Sequence, residues 1–291
     1  MTTVELEAID ELRLGSAPLL SIVLPVYNGG RKIQGTLENV RSRMNDLESI
    51  MFDIPGSDYE HILNERAGNA SGRLLVSSKA RAADWYEIIV VNDGSEDGTR
   101  DVLEGITEKD RNVRMISYST NMGKGYAIKQ GILKSRGKYV IFMDGDGEIG
   151  ADLLMSYLEE LRRADIVIAS KYHPASIVNV PHTRKFLSKC FNVLVKTAVR
   201  VRVSDTQAGL KAGRGDAFKA IFRSVVVKRY AFDVEMLALA TLLGLRIKEM
   251  PVKIDIVRNF RIKEIMRMAL DVAGIAYRLR VIKWYQKRVG Q

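Results

Sequence analysis

A chain of 291 residues, 46% of them hydrophobic, is long enough to bury a substantial core, and its single cysteine, Cys190, excludes an intrachain disulfide and a thiolate zinc cluster. The formal net charge of +10, from 45 basic and 35 acidic residues, draws polyanions such as nucleic acid, anionic lipid or phosphorylated substrates. No stretch approaches the roughly 18 consecutive apolar residues of a spanning helix, and the acidic start MTTVELEAIDELRLGS is unlike a signal peptide, so a cytoplasmic protein is expected.

Strand-length apolar runs alternate with helix-period segments through the first half. LLSIVLPV (19–26) precedes a helix from about 30, and YEIIVVND (86–93) a helix after Asp97. NVRMISY (112–118) precedes a helix from Gly125, and KYVIFMD (138–144) a helix near 151–163, before a further run, DIVIAS (165–170). Short Val/Ile-rich runs separated by helices predict buried strands with right-handed crossovers, an α/β, doubly wound, mostly parallel sheet. Ligands of such sheets bind beyond the carboxyl ends of the strands, so the residues after each run are the candidates.

Residues 53–84, with Gly56, Gly68, Gly72 and mixed charge, are too long for an ordinary connection and predict an insertion, either a solvated loop or a lid. The second half reads mostly helical, with one extended segment, RIKEMPVKIDIV (246–257), whose alternation predicts an edge strand. A final helix over about 262–288 sets Ile265, Met268, Leu270, Val272, Ile275, Leu279 and Ile282 among arginines and lysines. As an amphipathic helix it suits a membrane surface, the alternative being a face packed on the core.

The fourth run ends in Asp144-Gly145-Asp146-Gly147-Glu148, three carboxylates within five residues. Hard divalent ions take oxygen ligands, and Mg²⁺ binds through one or two carboxylates plus substrate phosphates, so the cluster predicts a metal shared with a diphosphate. Gly145 to Gly150 also spells GxGxxG. A dinucleotide site is rejected, because that motif belongs in the first βα turn and Asp146 and Glu148 would repel a naked pyrophosphate. At the same sheet edge, Tyr27 can stack on a nucleobase and Asp93 can accept from a base N–H, while Asp93 to Asp97 also reads as a helix-capping turn. Asn121-Met-Gly-Lys124-Gly125 before a helix favours an anion but lacks P-loop spacing. The histidines, His61, His173 and His182, have no HExxH spacing.

The strings LPVYNGG, IIVVNDGSEDGT, NMGKGYAIKQG, FMDGDGE, SDTQAGLKAG and RYAFDVEMLALA, in this order over about residues 19–257, resemble the family-2 glycosyltransferases. Within them they are most similar to the dolichyl-phosphate glucose and mannose synthases, especially the glucose synthases. The resemblance implies a nucleotide-sugar-binding fold of GT-A type over 1–257, a C-terminal basic amphipathic helix over 258–291, and inversion at the anomeric carbon. It implies that Pro25, Tyr27, Asn28 and Asp93 hold the nucleoside, with Lys124 near the donor. Asp144 and Asp146 match the DxD motif, and Glu148 stands where these synthases usually carry a Gln at the metal site, so Asp146 and Glu148 become the ligands of Mg²⁺ or Mn²⁺. Asp205 and Gln207 match the segment facing the acceptor, and Lys171, Arg184, Ser188 and Arg258 resemble positions that bind the lipid phosphate. Lys171 replaces a common arginine, which keeps the charge and loses the bidentate fork.

These expectations define an enzyme that moves a hexose from a nucleotide sugar, UDP-glucose in preference to GDP-mannose, to dolichyl or polyprenyl phosphate on the cytoplasmic face of a membrane. A saccharide hydroxyl is the alternative acceptor, and it would require Asp205 to act as a base. Nucleic acid is not an expected partner, since no aromatic-rich single-strand motif or zinc finger appears. The sequence leaves a homo-oligomer open.

Overall fold

The computed structural model describes residues 18–53, 85–144, 154–179, 182–201, 203–207, 209–255 and 262–289. Its elements, in chain order, are β1 (Leu20–Val26), α1 (Gly30–Asp53), β2 (Tyr86–Asp93), α2 (Thr99–Thr107), β3 (Val113–Tyr118), α3 (Lys124–Lys134), β4 (Tyr139–Phe142), α4 (Leu154–Glu160) and β5 (Ile166–Ala169). There follow β6 (Ile177–Asn179), α5 (His182–Val199), β7 (Lys211–Arg214), α6 (Gly215–Ser224), α7 (Phe232–Leu242), β8 (Ile247–Met250), β9 (Lys253–Asp255) and α8 (Ile262–Ala276). A π-helical turn (Tyr277–Val281) and α9 (Trp284–Val289) complete them. Most of the predicted insertion, residues 54–84, lies outside the described residues.

Seven strands form the main sheet in the order β3-β2-β1-β4-β7-β5-β8. All run parallel except β7, which is antiparallel to β4 on one side and β5 on the other. The apolar runs are continuous because both faces are covered. Val23, Ile89 and Val91 pack with α3, α5, α6 and α7. Their neighbours Ile22, Leu24, Ile88 and Val90 face α1, α2 and α4 on the other side. Helix α7 is apolar nearly all round and is buried from Phe232 to Ala240.

Two expectations for the second half need correction. The extended segment is two strands rather than one. Pro251 offers no amide donor, and the chain breaks there between β8, the edge of the main sheet, and β9, which pairs with β6 in a separate two-stranded sheet. The final helix is also divided, by the π turn and by Lys283 at φ 49°. Its inner face packs on the core through Met268, Val272, Ile275 and Tyr285, while Met266, Leu270, Tyr277 and Val281 are exposed. Among the described residues no helix is long and apolar enough to cross a membrane.

Candidate active site

The carboxyl ends of β1 and β2 are laced together at the edge where a ligand is expected. Asn28 takes a left-handed conformation, φ 47°, which asparagine tolerates better than most side chains. From there its amide donates to Ser95 Oγ at 2.9 Å, and its Oδ1 accepts from the Glu96 amide at 2.9 Å. Tyr27 beside it is half exposed. Asp97, at the end of the Asp93 to Asp97 turn, accepts the Thr99 amide at 3.2 Å as α2 begins.

Asp93 is buried at the end of β2. Its Oδ1 accepts from Tyr118 Oη and from the Met122 amide, both at 2.8 Å, and its Oδ2 from the Gly123 amide at 2.9 Å. The carboxylate therefore ties β3 and the Asn121–Gly123 segment to β2, a role the sequence does not reveal. Burial pushes the Tyr118 phenol well up, and the Asp93 hydrogen bond and charge reinforce the shift, so Tyr118 stays a donor. A side chain at Gly94, φ 68°, would place its Cβ 2.5 Å from the Asn121 amide nitrogen, which is why the strand-end turn needs glycine.

Asp144 follows the end of β4. Lys124, in the first turn of α3, is ion-paired with it, each side chain about a fifth exposed. The segment after Asp205 closes from the opposite side. A Cβ on Gly209 would stand 2.3 Å from Asp144 Oδ2, so the close approach of that loop to the carboxylate depends on glycine. Beneath Asp144 lies a pair the sequence reading missed. Lys211 of β7 bridges Asp233 of α7 at 2.7 Å, both side chains nearly sealed from solvent, with the ammonium 5.5 Å from the Phe142 ring centroid. Burial pushes the Asp233 carboxyl up, against the opposing pull of Lys211 and Lys124. The available signal was a charged residue inside an apolar run, at Asp233 in FDVEMLALA.

Asp205, expected to face the acceptor, is 1% exposed. Its Oδ2 accepts from the Lys171 amide at 2.9 Å and lies 2.7 Å from Lys171 Nζ, and its Oδ1 accepts from the Gln207 amide at 3.0 Å. Burial alone would raise this carboxyl, but the Lys171 charge and these hydrogen bonds outweigh it and hold the group below the usual carboxylate range. Lys171, expected at a phosphate, is thus first a partner of Asp205. Ser188 Oγ and Tyr172 Oη lie 2.9 Å apart, which brings α5 against the end of β5, and Arg184 falls one helical turn before Ser188. Pro25, inside β1, is positioned by pairing in register with Val91. Asp146, Glu148 and Arg258, and the side chain of Arg184, lie outside the described residues.

The site thus sits on a mostly parallel sheet with one antiparallel strand, with Asp93 and Asp144 at the carboxyl ends of two neighbouring parts of it. The sequence model of the glycosyl transferase family 2 matches residues 63–222, more than half of the chain, and the chain belongs to that family and is a glycosyltransferase. Among curated relatives, a dolichyl-phosphate beta-glucosyltransferase of Dictyostelium discoideum is 32% identical over 91% of this chain and 76% of its own length. Another, from Trichomonas vaginalis, is 32% identical over 69% of this chain and 63% of its own, just under two thirds. The fold matches mannosyl-3-phosphoglycerate synthase from Rubrobacter xylanophilus with a TM-score of 0.58 at 18% identity, over 96% of this chain and 78% of that one. It also matches glucosyl-3-phosphoglycerate synthase from Mycobacterium tuberculosis, solved with Mn²⁺, UDP and product, with a TM-score of 0.55 at 15% identity, over 89% and 79% of the two chains.

Proposed function

We propose that this glycosyltransferase transfers a hexose, with inversion, from a nucleoside-diphosphate sugar to a dolichyl or polyprenyl phosphate, UDP-glucose being the favoured donor. The observation that carries the acceptor assignment is the Asp205–Lys171 pair. A carboxylate already engaged by the Lys171 ammonium 2.7 Å away, and held below its usual range by it, is poorly placed to take a proton, which favours an acceptor that arrives ionised. A phosphate monoester is such an acceptor, and a saccharide hydroxyl is not. The similarity to dolichyl-phosphate beta-glucosyltransferases supports the same acceptor class and the glucosyl donor.

Each residue then has a task. Tyr27 stacks on the base, and the remaining lone pair of Asp93 Oδ2 faces a base N–H, with Pro25 and Asn28 shaping the floor of the nucleoside site. Lys124, beside Asp144, orients the diphosphate. Asp205 and Gln207 hold the acceptor and sugar in line, while Lys171, Arg184, Ser188 and Arg258 form the phosphate end.

A divalent ion fits these residues. The Asp144 carboxylate stands at the strand end against the bare Cα of Gly209, and the oxygen donors after it in sequence, Asp146 and Glu148, are the hard ligands that Mg²⁺ or Mn²⁺ takes. Those two would hold the ion, which when bound supplies Lewis-acid neutralisation of the leaving diphosphate.

The exposed stripe Met266, Leu270, Tyr277 and Val281, with Val193 and Leu194 on the adjoining α5 and the exposed Arg267, Lys283, Lys287 and Arg288 near by, supports peripheral attachment to an anionic bilayer.

The test is release of nucleoside diphosphate from UDP-glucose and GDP-mannose, with and without polyprenyl phosphate, in Mg²⁺, Mn²⁺ or EDTA. Lipid-dependent release from UDP-glucose that EDTA abolishes is expected. Turnover onto a saccharide with none onto the lipid would overturn the acceptor assignment.

A further inference from the structure

We propose that Glu249, on the edge strand β8, is a positioning residue that sets the reacting geometry of Asp205; this rests on the acceptor-side role given to Asp205 above. Glu249 Oε1 accepts from the Ser204 amide at 2.6 Å, from Ser204 Oγ at 2.7 Å and from the Asp205 amide at 3.1 Å. One carboxylate oxygen therefore gathers the backbone on which Asp205 is mounted, and hydrogen bonds to a charged acceptor are roughly twice as strong as neutral ones.

The same strand registers the other half of the ion pair. Glu249 is aligned with Ile168 of β5, and beyond Ala169 the Ser170 amide donates to the Met250 carbonyl at 2.9 Å. Lys171 follows at once. Both partners of the Asp205–Lys171 pair are thus referenced to adjacent residues of β8, Glu249 for the carboxylate and Met250 for the ammonium. The loop is further held by Ser170 Oγ, 2.7 Å from Ser204 Oγ, and by Asn192 of α5, which donates to the Ser204 carbonyl at 3.2 Å and accepts from Thr206 Oγ1 at 3.3 Å. These contacts keep the loop in the fold when the Glu249 charge is removed, so the expected consequence is misplacement of Asp205 rather than unfolding. Displacements of about 1 Å cost up to about 100-fold in rate.

The experiment measures kcat and KM with UDP-glucose and polyprenyl phosphate for the wild type, Glu249→Gln, Asp205→Asn and the double variant, together with UDP affinity and thermal melting. Glu249→Gln should lower kcat about 10-fold and Asp205→Asn about 100-fold, with UDP affinity within about twofold of wild type and the double variant no slower than Asp205→Asn alone. Ser204→Ala, which removes one of the three donors, should give the same pattern at about threefold and replaces Glu249→Gln if that variant melts early. A Glu249→Gln loss that persists in the Asp205→Asn background, or turnover in both Glu249→Gln and Ser204→Ala at the wild-type rate, overturns the proposal while leaving the Asp205 assignment standing. Full turnover in Asp205→Asn overturns that assignment and the proposal with it.

Discussion

Replacing Lys211 by methionine leaves the Asp233 carboxylate buried without the ammonium 2.7 Å away. The side chains are 1% and 9% exposed, so solvent screens neither, and removing one partner of such a pair costs about 3–5 kcal/mol. Two features favour the lower end: Lys124 also pulls the Asp233 carboxyl down, and burial already pushes that carboxyl toward protonation. About 3 kcal/mol, at about 2 °C or more per kcal/mol for a domain of this size, lowers Tm by at least about 6 °C. The deficit has a definite pH dependence. The folded protein favours the protonated form of a carboxyl whose pKa is raised, so the variant loses least at acid pH and most once pH has risen through that raised value. Far-ultraviolet circular dichroism melts of Lys211→Met and of Lys211→Met/Asp233→Leu, from acid to neutral pH, test this. The double variant should recover most of the loss, because apolar groups replace both charges. A single variant that melts within about 1 °C of wild type, or a double variant no better than the single, would refute the account of a buried, mutually dependent pair.

Gly209→Ala should lower turnover by about 100-fold or more with little change in Tm, because the new Cβ lies 2.3 Å from Asp144 Oδ2 and displaces either the carboxylate or the loop that carries residue 209. Tyr285→Phe removes a donor from the buried Glu235 carboxylate, which also accepts the Val226 and Val227 amides, and should cost about 1–3 kcal/mol in urea titrations. Leu270→Gln with Val281→Ser should weaken co-sedimentation with anionic vesicles by about 10-fold or more, with nucleotide binding unchanged. Deleting the whole segment is a poorer test, since Met268, Val272, Ile275 and Tyr285 belong to the core.

The parts of the fold visible in the sequence are those whose burial is continuous along the chain. β1, β2 and β5 are Val/Ile-rich runs because helices cover both faces of the sheet, and the sequence places each to within a residue or two. β7 was not, because KAGR carries no apolar run: its place between two strands that face the opposite way is set by long-range pairing, and its lysine is paired with Asp233. Local spacing likewise put Asp93, Asp144 and Lys124 at one sheet edge. It gave no sign that Lys171 meets Asp205, or that Glu249 holds the loop between them, since these partners are joined by the winding of the chain rather than by any period in it.

The reversed strand β7 also orders events in time. β4 ends at Phe142, and the strand that covers its free edge begins only at Lys211, so ~70 residues must be added before the two can pair. At about 5–20 residues per second, a growing polypeptide carries that bare edge for several seconds. The second half of the sheet has no seat until then, because β5 joins the first half only through β7. Synthesis that pauses before residue 214 leaves a half-built sheet with an open hydrogen-bonding edge, the stage at which this polypeptide most needs protection from its neighbours.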